Sequence, residues 1–243
     1  MAGSQAAIEI RQLFQLSEFE EVLALQKSIW SFADIELLPL RFLVVVSKVG
    51  GHVFGAYDGA KMVGFCFAIP GIKSDGRPYL HSHMLGVLLE YRNAAVGRNL
   101  KLRQREDALA RGIQLIEWTF DPLELKNAFL NIEKLGAIVR RYNENQYGTT
   151  SSPLHGGLPT DRCIAEWWIA SPRANGERVR GVPVERISYP ADIARIREQE
   201  PQRAREIQQT NARKFLDAFA QGLAVTGFER TDTEGTYVLE PWQ

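Results

Sequence analysis

The sequence predicts an α/β (α+β) protein: a mixed central sheet flanked by helices, followed by a C-terminal helix-plus-hairpin extension. Three observations predict it. From Ile8 to Gly148, strand-like apolar runs and segments of helical period follow one another in the order of a mixed sheet with helical crossovers. Strong turn signals separate them, with Asp58-Gly59 foremost. And 45% hydrophobic with 10% aromatic residues, over 243 positions, is enough to bury a substantial core.

Ile8 to Leu13 reads as a short strand. Leu16 to Trp30 is helical: Ser17 can cap it, Glu20 sits three residues later, and Leu16, Phe19, Leu23 and Ile29 return near helical spacing. Leu38 to Val49 is ambiguous, since Val44, Val45 and Val46 favour strand while Pro39 near the start suits a helix. His52–Tyr57 and Lys61–Pro70 form a hairpin about Asp58-Gly59, and SDGRP at 74–78 makes the next turn. Tyr79 to Leu89 is a long strand, followed by a helix from about Gly97 to Arg111 that Gly112 ends. Leu115–Phe120 is a strand and Leu123–Leu135 a second helix, stopped by Gly136. After a loop rich in Gly, Pro, Ser and Thr, Arg162–Ala170 is an apolar strand carrying Trp167 and Trp168, which point to opposite faces. Gln202–Gln221 is a basic amphipathic helix, and Leu223–Phe228 with Thr236–Leu239 reads as a closing hairpin. The boundaries expected are a core over residues 1–170 and an extension over 171–243 packed on it.

Twenty-nine basic residues balance 29 acidic ones, so nothing global argues for nucleic-acid binding and any anion site is local. Cys66 and Cys163 lie in separate apolar runs and read as buried free thiols rather than a disulfide. The four histidines and two cysteines show no metal-ligand spacing, so no metal site is expected. The N-terminus MAGSQAAIEI lacks the basic and apolar regions of a signal peptide. Leu37–Val46, the most hydrophobic run, contains Pro39 and Arg41 and is far shorter than the roughly 20 residues of a membrane helix. A cytoplasmic protein with no membrane partner is expected.

The stretch EYRNAAVGRNL, Glu90–Leu100, joins a strand to a helix. Backbone N–H groups in the first turn of a helix, aided by its dipole, can hold a pyrophosphate if small residues let the backbone approach. Asn93, Ala94, Ala95 and Gly97 are small; Arg92, Arg98 and Lys101 carry charge. Neither GxGxxG nor GxxxxGK followed by Ser or Thr is present, so the dinucleotide fingerprint and the P-loop are excluded. A basic helix start facing solvent has the same look.

LGVLLEYRNAAVGRNL, Leu85–Leu100, resembles the acyl-CoA-binding motif of the GNAT superfamily of N-acyltransferases: a strand ending in Val, then Arg or Gln-x-x-Gly-x-Gly or Ala. Val87 is the strand valine, Arg92 opens the pattern, Ala95 stands for the first glycine and Gly97 is the second. AFLNIEKLGA, Ala128–Ala137, resembles the superfamily's next helix, and GLPTDRCIAEWWI, Gly157–Ile169, is similar to a little-characterised subgroup of its predicted acyltransferases. The resemblance implies a GNAT-type fold and acyl-CoA held in a splayed groove between two neighbouring strands. Leu85 and Val87 on the strand, and Arg92, Asn93, Ala94, Ala95, Val96, Gly97 and Arg98 in the turn, would bind the cofactor. Ile132 stands where many relatives carry a tyrosine acid, and Leu125 where an asparagine often meets the CoA arm; Asn127 and Asn131 are its substitutes.

For the base, residues two apart on the strand share a face, so His81, His83, Leu85 and Val87 line up. Some relatives place a carboxylate near His81, and a histidine can do the same work. Glu117, on the following strand, is the second candidate, since a buried carboxylate suits a base. His155-Gly156-Gly157 and Asp161-Arg162 lie in or beside a long loop that could meet a substrate. The implied reaction moves an acetyl group, or another short acyl such as succinyl, from its CoA thioester to a small-molecule amine such as an amino acid. The alternative is a non-catalytic acyl-CoA-binding module that has lost the acid. A monomer and a homodimer both remain open.

Overall fold

The computed structural model describes residues 8–92, 94–148, 156–177 and 181–242. They fall into two compact units, Met1–Ile116 and Glu117–Gln243, and the division lies inside one strand.

The first unit contains β1 (Glu9–Gln12), α1 (Leu16–Trp30), α2 (Leu40–Lys48), β2 (His52–Asp58), β3 (Lys61–Ile72), β4 (Pro78–Val87) and α3 (Val96–Ala110). Its strands lie in the order β1-β2-β3-β4, every neighbour antiparallel. On one face α1 and α2 bury Phe19, Val22, Leu43 and Val46 against Phe65 and Phe67. On the other, Val96 and Leu100 of α3 pack on Phe54, Cys66 and Val87. Each large side chain so buried contributes roughly 1.5–3 kcal/mol.

Two local expectations shift. The α1 N-cap is Gln15, not Ser17: the Glu18 carboxylate accepts the N–H groups of Phe14 at 2.8 Å and Gln15 at 2.9 Å, closing the box two residues early. The ambiguous segment is helical, because Leu43 and Val46 find an apolar sheet to cover and burial overrides the strand preference of three valines.

The third shift reaches the site. Phe67 pairs with Met84 but Ala68 pairs with Ser82, so β4 carries one extra residue, His83, in a β-bulge. A bulge breaks the period of two. Leu85 and Val87 therefore pack with the α3 cluster, while His81 sits opposite Ile69 and His83 against Phe67, both of the α1/α2 cluster. The expected alignment of His81 and His83 with Leu85 and Val87 is corrected: the histidines occupy the opposite face.

The second unit holds most of β5 (Leu115–Phe120), then α4 (Leu125–Ala128), β6 (Ile138–Asn143), β7 (Arg162–Trp168), β8 (Glu185–Pro190), α5 (Ile193–Gln199), α6 (Pro201–Ala220), β9 (Leu223–Arg230) and β10 (Glu234–Pro241). The strand order is β5-β7-β6-β9-β10-β8. The closing hairpin is present, and Val225 of β9 pairs with Val139 of β6, so it extends the sheet. The helix expected over 123–135 is instead one α-turn followed by a π-helical stretch, Phe129–Lys134. From α6, Phe215 stacks on Tyr142 at 5.3 Å and meets Tyr237 edge-on at 5.2 Å.

Candidate functional site

The chain leaves β4 through a short 3-10 turn, Leu89–Tyr91, and enters α3. Local bonds fix this path. Leu88 N–H reaches Val63 C=O at 2.9 Å, the Tyr91 hydroxyl reaches Asp58 at 2.8 Å, and Arg92 Nε reaches Val87 C=O at 3.2 Å. Ala95 then adopts a left-handed conformation, φ 58° and ψ 8°, as the N-cap of α3. Alanine has no side-chain oxygen to cap a helix. The helical ladder starts when Asn99 N–H meets Ala95 C=O at 2.9 Å, so the N–H groups of Val96, Gly97 and Arg98 have no carbonyl one turn back within the helix. These first-turn donors stand at the positive end of a four-turn helix, which is the physical requirement of an anion cradle.

Side chains around the turn divide by role. Val96 is fully buried and anchors the helix start, whereas Ala94, Ala95 and the Arg92 and Arg98 side chains are exposed. Asn93 lies outside the described residues. A Cβ on Gly97 would sit 3.4 Å from Leu85 and 3.8 Å from Val87, ordinary contact distances. The glycine is therefore not demanded by the fold; it keeps the space over Leu85 and Val87 open. Lys101, expected to lend its charge here, does not: it is buried beneath the helix and donates to the Ser82 hydroxyl at 2.8 Å.

At the bulge, the rings of His81 and His83 lie 5.7 Å apart. His83 keeps one side open to solvent and sets the other against Phe67, 5.4 Å between ring centres; desolvation of that inner side lowers its pKa. His81 is more enclosed. Burial above all, and then His83, Lys101 and Lys73, push its pKa down to about 4. Both imidazoles are neutral at pH 7.

The remaining candidates belong to the second unit. Glu117 is buried and its carboxylate accepts from Arg141, which also reaches Glu166 at 3.3 Å. Asn127 is exposed on α4; Asn131 is buried in the π-helical turn, where its carbonyl accepts Ala137 N–H at 2.9 Å. Ile132 is fully buried. Asp161 accepts from the Tyr142 hydroxyl at 2.7 Å and Asn145 N–H at 2.9 Å, which ties the end of β6 and the turn after it to the start of β7. Trp167 is buried edge-on to Trp118. His155 lies outside the described residues.

Sequence reasoning missed the polar cluster behind β4, in which Ser82 joins Lys101 and Gln104. Its one trace is that Leu100, Gln104 and Ala108, spaced by four, set a glutamine on the buried side of α3. Both cysteines are free and buried. Among the described residues no group of three His, Cys, Asp or Glu side chains is placed to hold a metal, and no helix is long and apolar enough to cross a membrane.

No protein-family model and no curated protein sequence matches the chain. Solved structures do. A GNAT-family acetyltransferase from Streptococcus pneumoniae is similar with a TM-score of 0.53 at 16% identity, covering 65% of this chain and 98% of its own. The ribosomal-protein-S18-alanine N-acetyltransferase from Escherichia coli is similar at 0.53 and 17% identity, over 72% of this chain and 99% of that one. Arabidopsis thaliana NAA60 in complex with acetyl-CoA reaches 0.56 at 14% identity, over 68% and 100%. Nearly the whole of each neighbour is matched, so the shared element is a complete fold: this chain has the fold of the GNAT acetyltransferases.

Proposed function

We propose that the protein is an acyl-CoA-dependent N-acyltransferase. It would move an acetyl group, or another short acyl such as succinyl, from CoA to the amine of a small molecule such as an amino acid. The observation that carries this reading is the start of α3. Three first-turn N–H groups, an open glycine and two exposed arginines follow directly on a strand whose Leu85 and Val87 flank the same space. Those donors suit the CoA pyrophosphate, and Arg92 and Arg98 complement its charge.

In the transfer, the amine nitrogen attacks the thioester carbonyl, the carbon–sulfur bond breaks and the CoA thiolate leaves with the bond's electron pair. The amine's proton passes to a base. We assign that role to His83, the surplus residue of the bulge, which is neutral and open to solvent on the sheet face opposite Leu85 and Val87. His81, with its pKa pushed down to about 4 by burial, is the weaker base of the two. Glu117, already bound by Arg141, is the second candidate. A thiolate is a weak base, so transfer does not require the acid that Ile132 cannot supply.

Ile132, fully buried, favours one other reading, a module that binds acyl-CoA without turnover. Thiol release from acetyl-CoA and succinyl-CoA decides between them, with a panel of amino acids, polyamines and peptides bearing a free N-terminal alanine. Turnover with one amine class supports the enzyme and names its acceptor. Binding of the thioester with no release across the panel supports the module, and failure to bind any CoA thioester refutes both.

A further inference from the structure

A strand with one surplus residue can place that residue at more than one position, and each placement turns a different side chain through the sheet. Something must fix the surplus at His83. On the reverse face, Ser82 is the residue just before it, paired across the ladder with Ala68. Its hydroxyl accepts from Lys101 Nζ at 2.8 Å and donates to Gln104 Oε1 at 2.8 Å. All three side chains are buried, at 3%, 4% and 0% exposure.

Lys101 and Gln104 are three residues apart, on one face of α3, so the helix presents both to the same hydroxyl. Were the surplus residue one place earlier, Ser82 would leave this face and both partners would lose it. The cluster is an expensive choice, because apolar side chains of similar volume at such a site are often neutral or stabilising. Polar groups kept at that cost are best attested as setters of register. Burial also pushes the Lys101 pKa down to about 7, the mark of an amine held away from water, and Lys101 in turn helps to lower the pKa of His52 and of His81.

We propose that Ser82, clamped by Lys101 and Gln104, is a positioning cluster that pins the β4 bulge from behind and so sets the orientation of His83. Its effect on rate rests on the acyltransferase reading; its effect on geometry does not.

The test uses Ser82→Ala, Ser82→Thr and Lys101→Met in the full chain, with ring nitrogen NMR signals of His81 and His83 assigned from His→Gln variants. Ser82→Ala and Lys101→Met are expected to shift or broaden the His83 signals, while Ser82→Thr, which keeps the hydroxyl, retains them. In turnover, the first two should lower kcat about tenfold or more with KM for the thioester changed less than about twofold. Lys101→Met should leave Tm equal or higher, which keeps the test open if Ser82→Ala folds poorly. Unchanged His83 signals overturn the proposal, as does a loss of kcat that merely follows a loss of Tm and is not rescued by Ser82→Thr. If the wild-type chain shows no turnover, the acyltransferase reading fails by itself and the histidine signals alone decide the cluster.

Discussion

Replacing Gly97 separates what the fold needs from what a ligand needs. Its backbone is not in a left-handed conformation, and a Cβ there would touch Leu85 at 3.4 Å and Val87 at 3.8 Å without forcing either to move. One methyl group therefore fits. In α3, glycine is worse than alanine or leucine by up to about 1 kcal/mol, so both substitutions are expected to hold or raise stability. For a chain of this length that gain corresponds to roughly 2–4 °C in Tm. The leucine adds an isobutyl group over Leu85 and Val87, in the space where a pyrophosphate would meet the first-turn N–H groups. A charge-assisted hydrogen bond is worth about 1.5–3 kcal/mol. Losing one weakens binding by roughly 10- to 100-fold. Calorimetry with CoA and acetyl-CoA should show Gly97→Ala within about threefold of wild type and Gly97→Leu at least about tenfold weaker. A Gly97→Leu protein that keeps its Tm and binds CoA as wild type does would refute the cradle.

Ala95→Gly should stabilise the protein by about 1 kcal/mol, since the left-handed N-cap costs alanine what glycine does not feel; chemical denaturation measures it, and unchanged CoA affinity is expected alongside. His83→Gln should lower kcat/KM about 100-fold or more if the imidazole takes the amine's proton, and a rate within twofold of wild type would remove it from that role. His81 gives a pH signature. Its folded pKa, about 4, lies below the ordinary 6.5, so the unfolded chain takes up the proton first and stability falls on acidification through that window. Denaturation at pH 4.5 and 6.5 should show His81→Asn losing less stability than wild type, by at most about 3 kcal/mol.

The order of elements in the first unit was readable because each signal is local: a turn dipeptide, a helical period, a run of branched residues. The stretch from Arg92 to Arg98 was readable for the same reason, since a helix start is built from neighbours in sequence. The faces of β4 were not. A bulge follows from how two strands share their ladder, and no alternation within Tyr79–Leu89 announces it; one surplus residue sent His81 and His83 to the side opposite Leu85 and Val87. Lys101 misled in a related way. Its charge read as surface, and only packing of α3 on the sheet shows it turned inward to Ser82. Glu185–Pro190 escaped notice as a strand because prolines at 183 and 190 punctuate it, a pattern tolerated at the edge of a sheet, where β8 lies.

The two buried cysteines have a practical consequence. Burial pushes the Cys66 thiol up to about 12 and Cys163 well above its usual range, so neither forms thiolate while the fold holds. A colorimetric thiol reagent added to the folded protein therefore has nothing of its own to report, and the colour that develops with acetyl-CoA and an amine measures released CoA. Once the chain unfolds, the same reagent meets two thiols per molecule. One cuvette then serves as both turnover assay and alarm for a collapsing variant, with a fixed stoichiometry to tell the signals apart.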